Sequence, residues 1–415
     1  MHLKTFLTIG FLILSTVGCG GTLSSEDGEA RMAEEELVLR VTTFNIEDLR
    51  TSELLDRESP RPASAAAILQ QIRPDIVLIN EIAYDQPGAP DWVEGQEPGQ
   101  NGQRFADLFL AESQGDGLEP LQYRAFMRPV NTGVASGLDL DNDGRVSLES
   151  PRRNGGDRRD EQTSDDRAYG QDAWGFGTFP GQYGMALLVR EGMEILEEDV
   201  RTFQQLAWSR MPGALQPEDP STGEGWYSPA EWEVFRLSSK SHWDVPIRLT
   251  SDLVLHVLAS HPTPPAFDGP EMRNRKRNHD EIRLWADYLD GADYIQDDAG
   301  GPGGLPEDRL FVLLGDLNAD PNEGYSLESA IGRLLDHGRV NGDFIPRAGS
   351  AAAELPHLDP TDTAGWGLRV DYVLPAKGLE ILDGGVWRHP GEAGVDVSDH
   401  FPVWMDIAVP IAGGS

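Results

Sequence analysis

In six places along this chain a short apolar run meets an amide, a carboxylate or an imidazole. The places are Phe44-Asn45-Ile46-Glu47-Asp48, Ile79-Asn80-Glu81, Ala259-Ser260-His261-Pro262, Leu313-Leu314-Gly315-Asp316-Leu317-Asn318, Arg369-Val370-Asp371-Tyr372-Val373-Leu374 and Ser398-Asp399-His400-Phe401-Pro402-Val403. Apolar, β-branched runs of this length read as buried strands, so the polar groups fall at strand ends. Singly, each has a bland meaning. An Asn-x-Glu or Asp-x-Asn is usually a turn or a cap, a histidine after a strand is usually satisfied by its surroundings, and a glutamate there serves as a helix N-terminal charge. Six in one chain demand a fold that gathers several strand ends at one rim.

The remaining pattern agrees. Leu37 to Phe44, Pro74 to Glu81, Gly184–Arg190, Leu253–Ser260, Leu310–Leu314, Val370–Leu374 and Val403–Val409 read as strands, and Ser64–Ile72, Asn278–Leu289 and Leu327–Leu335 as helices. Strands with helices between them, but no strict βαβ alternation, predict an α+β fold of sheets flanked by helices. The length of 415 residues admits one large domain, placed at residues 37–410. A stretch from about Gln86 to Pro180, rich in Gly, Asp, Arg and Pro, is too long for a structureless loop and reads as an inserted lid or rim. A second insertion, acidic and spaced by Pro and Gly, runs from about Met211 to Glu231.

The N terminus is separate from this pattern. Lys4 precedes the apolar run Phe6 to Leu14, and small residues lead to Gly18-Cys19-Gly20, so residues 1–19 read as a secretory signal, too short for a membrane span. Cys19 after Val-Gly resembles a bacterial lipobox, with Thr16 a poorer match; the alternative is a free cysteine in an ordinary signal. Residues 20–36 are Gly-, Ser- and Glu-rich and suit a flexible tether. The expected product is exported: a cell-envelope lipoprotein, periplasmic or on the outer-membrane surface, or a secreted protein. Its contact with membrane is limited to that lipid anchor. Cys19 is the one cysteine, which excludes an intramolecular disulfide and a cysteine zinc site. Lys+Arg number 34 against 70 Asp+Glu, a net charge of −36, which disfavours gripping a nucleic-acid backbone and suits binding cations.

Oxygen-rich ligand sets hold hard ions such as Mg²⁺, Mn²⁺ or Ca²⁺. Histidines beside carboxylates move protons or stabilise charge on phosphate oxygens. In order and residue type the six segments resemble the endonuclease/exonuclease/phosphatase superfamily, from about Val38 to Val409, with Gly315-Asp316-Leu317-Asn318 and Ser398 to Val403 the most specific pieces. The resemblance implies a DNase-like, four-layer α/β/β/α sandwich of two mostly antiparallel sheets. It also implies hydrolysis of phosphate esters by in-line attack of water, with Mg²⁺ or Mn²⁺, or Ca²⁺, at the site. On this resemblance Glu81 is the main metal ligand, with Asn45, Glu47 and Asp399 beside it. His261 supports the scissile phosphate or the leaving oxygen, Asp316 and Asn318 orient or deprotonate the attacking water, and Asp371 orients His400. Asn80 stands where Gln is more usual.

Other features fall outside that pattern. Asp139 to Ser147 reproduces the first nine positions of a calcium loop, with Gly144 sixth, but position twelve is Ser150 and Glu149 comes one place early. Asp139, Asp141 and Asp143 are thus candidate ligands of a structural Ca²⁺, against a solvated acidic turn. Trp174 to Gly184, aromatic and glycine-dense, lines a substrate mouth or packs as a turn. Lys240 and His242, in Ser238 to Asp244 just before a strand, are candidates for binding an anionic substrate. Arg273 to His279 is the densest basic run and opens a helix. The function expected is a hydrolase of phosphoric esters, and the acidic charge favours small mono- or diesters. The alternatives are an extracellular nuclease using the same site and, more remotely, a non-catalytic calcium-binding surface protein.

Overall fold

The computed structural model describes residues 36–327, 329–349, 355–388 and 396–411. The signal, lipobox and tether readings of residues 1–35 lie outside the described residues. The strands are β1 (Glu36–Leu49), β2 (Ile76–Ile82), β3 (Tyr123–Phe126), β4 (Met185–Arg190), β5 (Glu194–Ile195), β6 (Arg201–Thr202), β7 (His242–Arg248), β8 (Val254–Ser260), β9 (Leu310–Asp316), β10 (Arg347–Ala348), β11 (Asp371–Pro375), β12 (Glu380–Val386) and β13 (Val403–Pro410). One sheet has the order β10-β12-β13-β1-β2-β4-β3; the other runs β11-β9-β8-β7-β5, with β6 also on β7. Both are mixed: β1–β2, β8–β9 and β10–β12 are parallel, the other pairs antiparallel. The sheets meet face to face where β1, β2 and β13 oppose β9 and β11. That double burial is why β2 and β9 read as nearly continuous apolar runs.

Helices cover the outer faces. The helix Pro60–Ile72 starts with prolines in its first turn and stops at Arg73, whose left-handed φ of 57° lets its N–H reach the Leu69 carbonyl. The helix Arg273–Leu289 lies on the second sheet. There Trp285 Nε1 donates to Ser260 Oγ (2.8 Å) and the Tyr288 hydroxyl to Asp244 Oδ2 (2.6 Å). Both rings are buried, so truncating either costs about 3–5 kcal/mol.

Two elements depart from the sequence reading. β7 is an interior strand of the second sheet, yet its His242, Asp244 and Pro246 break the apolar pattern. Its polar groups are buried with partners, Asp244 accepting from Tyr288 and lying 2.7 Å from His256 Nδ1. The segment Gln86–Pro180 is also not one insertion. Its four-residue strand β3 extends the first sheet, too short to signal itself, and the helix Asn101–Phe105 packs near it. The rim proper follows Phe126. It is braced internally by Arg152 on Asp166 and by the Tyr169 hydroxyl on the Gly133 carbonyl.

Candidate active site

Backbone geometry at the strand ends aims the polar groups. The β1–β2 register shifts between Asn45 and Leu49, and in that bulge Glu47 and Asp48 adopt left-handed φ of 54° and 51°. Such conformations cost on the order of 1 kcal/mol each, and Arg61 offsets them by donating to the freed carbonyls. Its guanidinium reaches Ile46 O (2.5 Å), Glu47 O (2.9 Å) and Asp48 O (3.2 Å). Glu81 and Asn318 are left-handed too, at 65° and 52°. Gly315 passes so close to the second sheet's β8 that a Cβ there would stand 2.0 Å from Ser260 O. Only glycine lets Asp316 reach its place.

Asn45 is the hub. Its Nδ2 donates to Glu81 Oε1 (3.1 Å) and Asp316 Oδ2 (3.0 Å), joining the two sheets' carboxylates. Asp48 N donates to Glu81 Oε2 (3.1 Å) and Asn318 N to Asp316 Oδ1 (2.9 Å). Asp316 Oδ2 stands 3.3 Å from His261 Nε2 and 3.8 Å from His400 Nε2. His400 Nδ1 faces Asp371 Oδ2 at 2.9 Å. Ser398 Oγ ties this arm to β1, donating to Asn45 O (2.7 Å) and accepting from His400 N. Asp399, half exposed, holds its Oδ1 3.9 Å from His400 Nε2. The structure therefore brings together Asn45, Glu47, Glu81, His261, Asp316, Asn318, Asp371, Asp399 and His400, with Lys240 alongside in the same cavity.

Burial disfavours charge on both histidines, yet they end in opposite states. It pushes His261 down to about 4, helped by the nearby Lys240 ammonium, so this ring is neutral. It also opposes charge on His400, but Asp371 and Asp316 outweigh it and raise that ring to about 10. Asp316, despite burial, is held below the usual carboxylate range by the two imidazoles. Glu81 is pushed up to about 7, chiefly by burial. Glu81, His261 and Asp316 each present one donor atom within 4.8 Å of the others. Asp48 Oδ1 is buried beside the cavity with no hydrogen-bond partner among the described residues. Crowded carboxylates and an orphaned acceptor fit a hard divalent cation.

One expected substrate ligand is corrected. His242 is fully buried behind the cavity, its Nδ1 2.7 Å from Ser238 Oγ and its Nε2 2.9 Å from Glu281 O, with the ring against Trp285. With both nitrogens engaged it cannot reach an anionic substrate. Lys240 does line the cavity, its Nζ 3.4 Å from Pro262 O. Asp139, Asp141 and Asp143 cluster in the rim with donor oxygens within 4.8 Å of one another. Asp139 already accepts from Asp143 N and Gly144 N, and Ser150 Oγ turns to Thr178 O. Phe176 and Tyr183 line the cavity, and Arg273 and Arg277 of the basic run reach it as well. Sequence reasoning passed over Asp48 and Arg158. Asp48 ends a quoted segment and was readable there; Arg158 lies far along the chain, in the rim.

A fold of two packed mixed sheets with this carboxylate–imidazole cluster at their strand ends defines a phosphoesterase class. Residues 42–400 match the model of the Endonuclease/Exonuclease/phosphatase family, and the chain belongs to that family, whose members are hydrolases acting on phosphoester bonds. Among solved structures, an endonuclease/exonuclease/phosphatase from Beutenbergia cavernae is similar, with 18% identity, 90% of this chain and 72% of that chain covered, and a TM-score of 0.47. The human Nocturnin catalytic domain shares 12% identity over 91% of this chain and 97% of its own, at 0.44. A mannosyl-6-phosphatase from Bacteroides thetaiotaomicron shares 11% over 89% and 99%, at 0.43. No curated protein matches the sequence.

Proposed function

We propose that the protein is an exported, divalent-metal-dependent phosphoesterase that hydrolyses small phosphate esters by in-line attack of water. The carrying observation is the setting of the cluster: it opens into a cavity of about 1120 Å³ walled by rim residues such as Phe176 and by Tyr325 and Trp366. A walled pocket accepts a compact ester end-on, whereas a long polymer needs a through-going groove. Glu81, with Asn45 and Asp48 beside it and Glu47 and Asp399 at the same cavity, would hold Mg²⁺ or Mn²⁺, which supplies charge neutralisation at the phosphoryl oxygens. Asp316, kept ionised, orients the attacking water and receives its proton. Neutral His261 and Asn318 fix that carboxylate. Cationic His400, oriented by Asp371, stabilises the charge growing on the phosphoryl group, and Lys240 adds a second positive charge.

Two histidines driven to opposite charge states around one carboxylate support this division of roles. The test is turnover of a phosphomonoester, a bis-aryl phosphodiester and plasmid DNA by the purified chain with Mg²⁺, Mn²⁺ or Ca²⁺. Small esters cleaved faster than DNA support the proposal; preferential nicking of DNA establishes the nuclease reading instead. Export and lipidation at Cys19 are part of the same proposal, tested by whether Cys19→Ala moves the protein out of the membrane fraction. A structural Ca²⁺ at Asp139, Asp141 and Asp143 completes it.

A further inference from the structure

We propose that Arg158, delivered by the rim, is a phosphate-binding residue whose free Nη2 takes a non-bridging oxygen of the substrate's phosphoryl group. The inference rests on the phosphoesterase reading above. Arg158 stands 111 residues from Glu47 in the chain, yet its Nη1 donates to Glu47 Oε1 at 2.5 Å and its side chain is 9% exposed within the cavity wall. Nη2 is buried and has no hydrogen-bond partner among the described residues. The Asp396 carboxylate lies 4.0 Å away, beyond hydrogen-bond reach, is 68% exposed and is already paired with Arg159 at 3.3 Å.

A buried, charged N–H without an acceptor is costly, so the arrangement makes sense when an anionic ligand supplies one. The planar guanidinium suits this: one edge is fixed on Glu47, and the second edge, in a residue of the cavity wall, is left for a ligand. The rim tip that carries it is pinned from below, Arg50 Nη1 donating to Gly156 O at 2.6 Å. Two other arginines at the cavity, Arg273 and Arg277, are differently employed. Arg277 donates to the carbonyls of Leu237, Trp174, Arg236 and Ser238, and Arg273 to Leu140 O and Gln171. Those two hold the rim to the core; Arg158 has a donor to spare.

The test uses the full, metal-loaded chain, with inorganic phosphate as the probe, comparing wild type with Arg158→Ala, Arg158→Lys and the exposed control Arg159→Ala. Arg158→Ala should weaken competitive inhibition by phosphate about tenfold and lower kcat/KM about 10²-fold, the scale of one lost transition-state donor. Millimolar guanidinium should restore part of that activity, which it would not do for a merely structural loss. Should Arg158→Ala fail to fold, Arg158→Lys keeps the charge near Glu47 but has one donor nitrogen and so cannot bridge Glu47 and the phosphate in the same fork, and the same loss is expected. Arg159→Ala should match wild type. Phosphate inhibition and kcat/KM unchanged in either Arg158 variant would overturn the assignment and leave Arg158 as a clamp on Glu47. A wild type that neither turns over esters nor binds phosphate sinks the phosphoesterase reading, and this inference with it.

Discussion

Replacing Asp371 by Asn removes a charge that keeps His400 protonated while preserving the side chain's shape. Asp371 is 1% exposed, with Oδ2 2.9 Å from His400 Nδ1. Against the opposing effect of burial, Asp371 and then Asp316 raise His400 from 6.5 to about 10. At about 1.4 kcal/mol per pKa unit the net rise is on the order of 5 kcal/mol, and Asp371 is the larger of the two charge effects behind it. In Asp371→Asn, His400 should therefore lose its proton at a lower pH, and the alkaline limb of the kcat profile should move down with it. Lost orientation should also lower kcat by about 10²–10⁴-fold. Linkage supplies a second readout. A group whose folded pKa is raised stabilises fully below its unfolded value, near 6.5 here, and that stability drains away as pH climbs to about 10. Wild type should lose stability across that window, and the variant should lose less. The assays are kcat against pH at saturating metal and denaturant unfolding over the same range. An unmoved alkaline limb with an unchanged unfolding slope would refute a cationic His400.

Glu81→Ala should weaken Mg²⁺ or Mn²⁺ binding about 10–100-fold by titration calorimetry, and excess metal should recover part of the lost turnover. His242→Ala should cost about 2–4 kcal/mol of stability, through the cavity and the unpaired Ser238 and Glu281 groups, while kcat/KM stays within about twofold. A steep loss of turnover without loss of stability would return His242 to the site. Adding Ca²⁺ should raise the melting temperature of wild type but not of Asp141→Ala, with phosphoester turnover alike in both; an equal rise in the two reduces the rim cluster to an acidic turn.

The strand ends were legible because local chemistry and global architecture coincide there. Leu310 to Leu314 is apolar since β9 is covered on both faces, and Asp316 and Asn318 follow at its end. What stayed hidden depends on long-range partners. β7 buries His242 and Asp244 because Ser238, Glu281, Tyr288 and His256 satisfy them, and no window of sequence reports such pairings. For the same reason Lys240 and His242, two residues apart in one run, separate: the first meets the cavity and the second the helix Arg273–Leu289 behind it. The left-handed turns at Glu47 and Glu81 use residues with little propensity for them. They sit at the bulge, where Arg61 braces the β1 side, and are not announced by glycine.

In the proposed reaction water, prepared at Asp316, attacks phosphorus. Hydrolysis of a small phosphomonoester in ¹⁸O-enriched water, with mass analysis of both products, tests it directly. One solvent oxygen should appear in the released phosphate and none in the alcohol, and that labelled phosphate should be lost in Asp316→Asn. Label in the alcohol, or undiminished labelled phosphate from Asp316→Asn, would contradict it.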